Sequence, residues 1–153
     1  MSTASPTRTA PGRARRLTRW SLIVVEVLVA VGAGYGGVGL IADNAIGMLP
    51  EWLSGTPFTS WVWPGVFLLL VVALPMTVAA IAELTRQPFA YAASLVAGAA
   101  QVGWIVVQWL VLQRFFFLQP VMLAAGLLVI VLAWLAHRGE PIVPTASSSE
   151  QVP

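Results

Sequence analysis

The chain of 153 residues contains no cysteine and no lysine, and its single histidine is His137. Without cysteine there is no disulfide chemistry, no thiolate nucleophile and no thiolate metal ligand. One histidine at the end of the last apolar run excludes a histidine-based metal cluster within the chain, and it leaves no Ser-His-Asp triad to expect. Charge is scarce as well. Only 9% of residues are Asp, Glu, Lys or Arg, against about 25% in soluble domains. The eight basic residues are all arginine, and five of them precede Trp20. The high isoelectric point near 9.9 is therefore read as a topology signal and an attraction to anionic lipid headgroups at the N-terminal arginine cluster, with no nucleic acid as partner. No nucleophile–base pair is visible, so no catalytic residue, no cofactor and no enzymatic activity are expected. The absence of lysine alongside abundant Ala, Val, Gly and Arg also suits a GC-rich bacterial genome.

What is present is apolar. Hydrophobic residues make up 58% of the chain, and the mean hydropathy is +0.85. A water-soluble chain of this length has too little interior to hide so much apolar surface, so the solvent is expected to be a lipid bilayer. A spanning helix needs about 20 apolar residues. Four stretches qualify, at roughly 20–42, 65–82, 91–112 and 118–137. The fold class expected is all-α: a polytopic four-helix bundle over 20–137, with an outer loop at 43–64 and disordered tails at 1–19 and 138–153. Orientation follows from arginine placement. Arg8, Arg13, Arg15, Arg16, Arg19, Arg86 and Arg138 fall on one side of the spans and only Arg114 on the other. That bias predicts both termini in the cytoplasm of a bacterial cell, with the bundle in the cell inner membrane. The first apolar run is longer than a signal-peptide core, lacks a convincing cleavage site, and is expected to be an uncleaved anchor.

Three groups of residues stand out. Glu26 lies six residues after Trp20, hence roughly 9 Å into the membrane, where a carboxylate costs up to about 2.5–3.5 kcal/mol. Helix 3 carries Ser94, Ala97, Gln101, Trp104 and Gln108 at spacings of three and four, which places them on one side. Glu26, Gln101 and Gln108 thus form a candidate proton or cation site. The alternative is structural: a glutamate leaning to the interface or bonded to a neighbouring helix, and amides acting as interhelical glue. Gly32, Gly36 and Gly37 make a candidate packing face, serving either self-association or contacts within one bundle. In the outer loop, Trp52, Trp61 and Trp63 are set among prolines. They read as interfacial anchors on a short helix or pair of turns. Pro75 falls mid-span in helix 2 and should kink it or free a carbonyl.

At MLPEWLSGTPFTSWVWPG, GWIVVQWLVLQ and FFFLQP the sequence resembles a group of small, uncharacterised four-helix integral membrane proteins of actinobacteria. The likeness covers helix 1 to helix 4 and omits both tails. It implies the topology and no mechanism. A weaker likeness is to small multidrug-resistance transporters, which are similarly short, have four helices and carry a membrane glutamate in helix 1. That resemblance implies proton-coupled cation or drug export by an oligomer acting through Glu26. The long outer loop and the strong arginine bias depart from it. The leading expectation is a non-enzymatic accessory or interaction subunit, partnered by a second copy or by another membrane protein.

Overall fold

A computed structural model of the chain describes residues 10–44, 46–113 and 115–138. Among them the structure is entirely helical: α1 (Ala10–Ile41), a 3₁₀ turn (Pro50–Leu53), α2 (Val62–Leu68), a π-helical turn (Leu69–Ala73), α3 (Leu74–Leu84), α4 (Ala90–Leu112) and α5 (Leu118–His137). The segment α2–π–α3 is one continuous helix, so four helices are long and apolar enough to cross a membrane. Of the expected tails at 1–19 and 138–153, residues 1–9, Arg8 among them, and 139–153 lie outside the described residues, as does Arg114.

The first helix starts ten residues before the expected boundary, so the stretch 10–19 is helix where a disordered tail was expected. Composition alone misjudged it because a helix already nucleated by a long apolar run grows backward through good helix formers without a second nucleation cost. Pro11 sits in the first turn, where its missing N–H is harmless. The second helix is longer than expected at both ends, running Val62–Leu84. The 3₁₀ turn in the outer loop is the short helical element expected there.

Pro75 does not simply kink its helix. The π turn immediately before it has Leu74 N–H donating to the Leu69 carbonyl, one residue further back than the α pattern. This reset places Pro75 in the first turn of α3, where the absent donor costs little. Thr77 Oγ1 adds a bond to the Ala73 carbonyl at 2.7 Å.

Neighbours around the bundle follow chain order and then close: α1 packs on the second helix and on α5, while α4 packs on α3 and α5. The shared core is built from Leu22 and Val29 of α1, Val72 and Met76 of the second helix, Ala97 of α4, and Val129 and Ala133 of α5. Small residues set the closest approaches. A Cβ on Gly65 would lie 2.7 Å from the Gly37 carbonyl oxygen, and one on Gly37 would lie 2.6 Å from Leu69 Cγ. Between α4 and α5, a Cβ on Gly98 would lie 3.0 Å from the Gly126 carbonyl. The expected glycine face is therefore divided. Gly36 and Gly37 pack against the second helix, whereas Gly32 has nothing within 4 Å and is not part of the internal crossing.

Gly65→Ala and Gly37→Ala are each expected to destabilise the protein by about 1–3 kcal/mol through overpacking. Gly32→Ala should be neutral or slightly stabilising, as for any open helical glycine. Circular-dichroism melts of the three variants in one detergent measure this, and an unchanged melt for Gly65→Ala contradicts the close crossing.

Candidate functional site

Because successive helices run in opposite directions, the start of α1, the end of α3, the start of α4 and the end of α5 meet at one end of the bundle. Six described arginines lie at this basic end: Arg13, Arg15, Arg16, Arg19, Arg86 and Arg138. Glu83, in the last turn of α3, is buried among them. The sequence alone places it at the edge of a loop. Instead its Oε2 accepts from Arg19 Nε at 3.0 Å, and Arg19 also donates to the Glu83 carbonyl through Nη2. His137 Nε2 lies 3.3 Å from Glu83 Oε1. The other ring nitrogen, Nδ1, faces the Ala133 carbonyl at 3.0 Å; a carbonyl only accepts, so Nδ1 carries a hydrogen. The Tyr91 ring packs on the imidazole at 5.2 Å between centroids. Arg15 Nε donates to the Ala136 carbonyl at 2.8 Å, which ties α1 directly to α5.

Deeper in the bundle, Glu26 is 0% exposed. It stands one helical face above Arg19, seven residues on. The polar groups that face it are the Ser94 hydroxyl from α4 and the Glu83 carboxylate from α3. Ser94 and Glu26 interact at range but do not meet in hydrogen-bond geometry, and both carboxylate oxygens lack a hydrogen-bond partner. Gln101, 2% exposed, donates from Nε2 to the Met122 carbonyl of α5 at 3.3 Å.

The candidate set Glu26, Gln101 and Gln108 is thus not one cluster. Glu26 and Gln101 belong to the packed interior and line neither the cavity at the basic end nor the clefts at the other, whereas Gln108 opens onto two clefts at the opposite end. The anchors also divide. Trp63 is exposed and Trp52 half-buried, but Trp61 is buried against Leu40 and Leu53 and holds the outer loop onto the bundle. At that end Gln119 Oε1 accepts from Trp109 Nε1 at 2.7 Å and from the Phe116 N–H at 3.0 Å. This closes the tight turn between α4 and α5.

Sequence reasoning missed Glu83, Arg19 and His137 as a group. The signal was present: once four alternating spans are accepted, a residue just before the first span, one at the end of the second and one at the end of the fourth must share a level.

Two cavities have distinct chemistry. One, of about 440 Å³, lies at the basic end and is lined by Arg15, Arg16, Arg19, Arg86, Glu83 and His137, with Trp20, Ile23 and Leu84 as apolar wall. The other, of about 580 Å³, is an apolar cleft between α2 and α4 beneath the outer loop. No protein-family model matches the chain, and no curated protein or solved structure aligns with it significantly.

Removing one partner from a buried ion pair strands the other, so Arg19→Gln is expected to cost on the order of 3 kcal/mol. Glu83→Gln should also destabilise. The double variant should lose less than the two singles together, with a coupling of about 1 kcal/mol or more. Strictly additive losses in detergent melts would mean that the pair contributes nothing.

Proposed function

We propose that the chain is a non-enzymatic, multi-pass protein of a bacterial cytoplasmic membrane, with both ends in the cytoplasm, that acts by associating with other membrane components. The observation that carries this reading is the sealed interior. The polar residues at mid-bundle, Glu26, Ser94 and Gln101, are all buried and line neither the cavity at the basic end nor the apolar cleft. Gln101 fastens α4 to α5 through the Met122 carbonyl, while Glu26 and Ser94 are simply enclosed by the packing around them. A solid core leaves the outer surface as the working part. On that surface α1 presents Leu28, Val31, Gly32 and Tyr35, with open space over Gly32. A small residue flanked by larger apolar ones lets a neighbouring helix approach closely. The orientation rests on the six arginines at one end, since cytoplasmic flanks carry the arginine excess.

A second reading is favoured by one specific observation. Both Glu26 carboxylate oxygens are buried without a hydrogen-bond partner, and Ile23, one turn nearer the basic end, lines the cavity there. Orphaned carboxylates are the groups that proton-coupled carriers use. In this reading the chain is a small cation or drug transporter working as an oligomer through Glu26.

The two readings part on proton flux. Proteoliposomes containing the full chain are expected to show no substrate-driven proton movement across a broad panel of organic cations, with Glu26→Gln indistinguishable from wild type. Flux in the wild type that disappears in a folded Glu26→Gln protein establishes the carrier and removes the association reading. The association reading has its own check. Gly32→Leu should reduce self-association or partner recovery by crosslinking in native membranes, for which a cysteine-free chain is convenient. Unchanged association with Gly32→Leu counts against that face.

A further inference from the structure

We infer that the cavity at the basic end is a binding site for a phosphate-bearing anion. Of the four arginines on its wall, two are already engaged: Arg19 holds Glu83, and Arg15 holds the Ala136 carbonyl. Arg16 and Arg86 also line the cavity, and neither side chain makes an ion pair or hydrogen bond among the described residues. Glu83 does not neutralise them, because its Oε2 is paired with Arg19 and its Oε1 is turned to the His137 ring. Cationic groups gathered on one concave wall, with only one acid among them, focus a positive potential into the cavity. Guanidinium forks match the paired oxygens of a phosphate and bind it bidentately.

The backbone at Arg86 points the same way. This residue follows α3 in the left-handed region, at φ 56°, closing the helix with the Gln87 N–H on the Ala82 carbonyl at 2.9 Å. Glycine is the favoured residue at such a position, because any Cβ is strained there. An arginine that tolerates this strain projects its side chain into the cavity wall, where glycine would leave nothing. The remaining wall is apolar, formed by Ile23, Leu84 and the half-exposed Trp20. A volume of about 440 Å³ exceeds that of a bare ion. A charged pocket with a greasy side suits the phosphodiester headgroup of an anionic lipid, and the same chemistry would accept a soluble phosphate compound.

The site stands apart from the question of whether Glu26 moves protons, and its test needs no transport assay. The full chain in detergent is titrated with dioleoyl-phosphatidylglycerol and with dioleoyl-phosphatidylcholine, and bound lipid is counted by native mass spectrometry. Phosphatidylglycerol is expected to bind about tenfold more tightly than the zwitterionic lipid. Arg16→Gln and Arg86→Gly should each lower its affinity about tenfold, as for loss of one charged hydrogen-bonding group. Arg86→Gly is expected to melt at or above the wild-type temperature, because glycine relieves the backbone. Loss of binding there is thus separated from loss of fold, and Arg16→Gln provides the same readout on a regular helix. Millimolar inorganic phosphate identifies the source. If it displaces the lipid, the natural ligand is a soluble phosphate compound; if it does not, the ligand is the lipid. Both results keep the site. Equal retention of the two lipids with no effect of phosphate overturns it, as does full phosphatidylglycerol binding in both variants.

Discussion

A carboxylate with no exposure must be given back, by the protein, what water would have supplied. Glu83 meets that condition through Oε2, which accepts from Arg19, while Oε1 lies beside the His137 ring without a hydrogen bond, so that two other helices close on it. Arg19 comes from α1 and His137 from α5, and the backbone carbonyl of Glu83 also receives Arg19. Three of the four long helices are thereby held in register at one level. The fourth, α4, reaches the same level through Tyr91, whose ring rests on the imidazole. Apolar packing between helices is largely indifferent to sliding, since one layer of leucine and valine resembles the next. An ion pair is not. The vertical order of the bundle depends on this cluster more than on any single apolar contact.

Above the cluster the interior changes character. Glu26, Ser94 and Gln101 ascend through the core separately, and only Gln101 closes a bond to a neighbouring helix. Around them small residues, Ala79, Ala97, Ala133 and the Gly98–Gly126 approach, alternate with Leu22, Val72, Met76 and Val129. Small side chains bring the backbones near each other there. The position of Glu26 is thus a consequence of close packing on all sides, with Ser94 and Glu83 as its polar company.

The four long apolar helices were legible in the sequence because their signal is continuous: about twenty mostly apolar residues together have few other fates. The inward face of α4 was legible too, since Ser94, Gln101 and Gln108 share a helical side by spacing alone. Glu83 was not, because a glutamate at the end of an apolar run looks the same whether it meets water or meets an arginine from sixty residues away. Trp61 and Trp63 are two residues apart and chemically identical, yet one is buried and the other exposed. Only the path of the loop decides that. The glycines of α1 divided for a similar reason: which of them faces another helix depends on where the second helix crosses, and the crossing is at Gly65.

The π turn at Leu69–Ala73 has an effect beyond accommodating Pro75. It adds a residue to one turn and so rotates α2 relative to α3 about their common axis. Below the turn, α3 lies against both α1 and α4; above it, α2 leans on α1. The side of α2 that turned away from α4 leaves the apolar cleft beneath the outer loop, walled by Leu68, Val71, Gly103 and Trp104. Stability in such a molecule is graded along its length, since regions with fewer neighbours open at lower cost. Unravelling should begin at the aromatic end, between the second and third crossings, while the charged end is the last to let go.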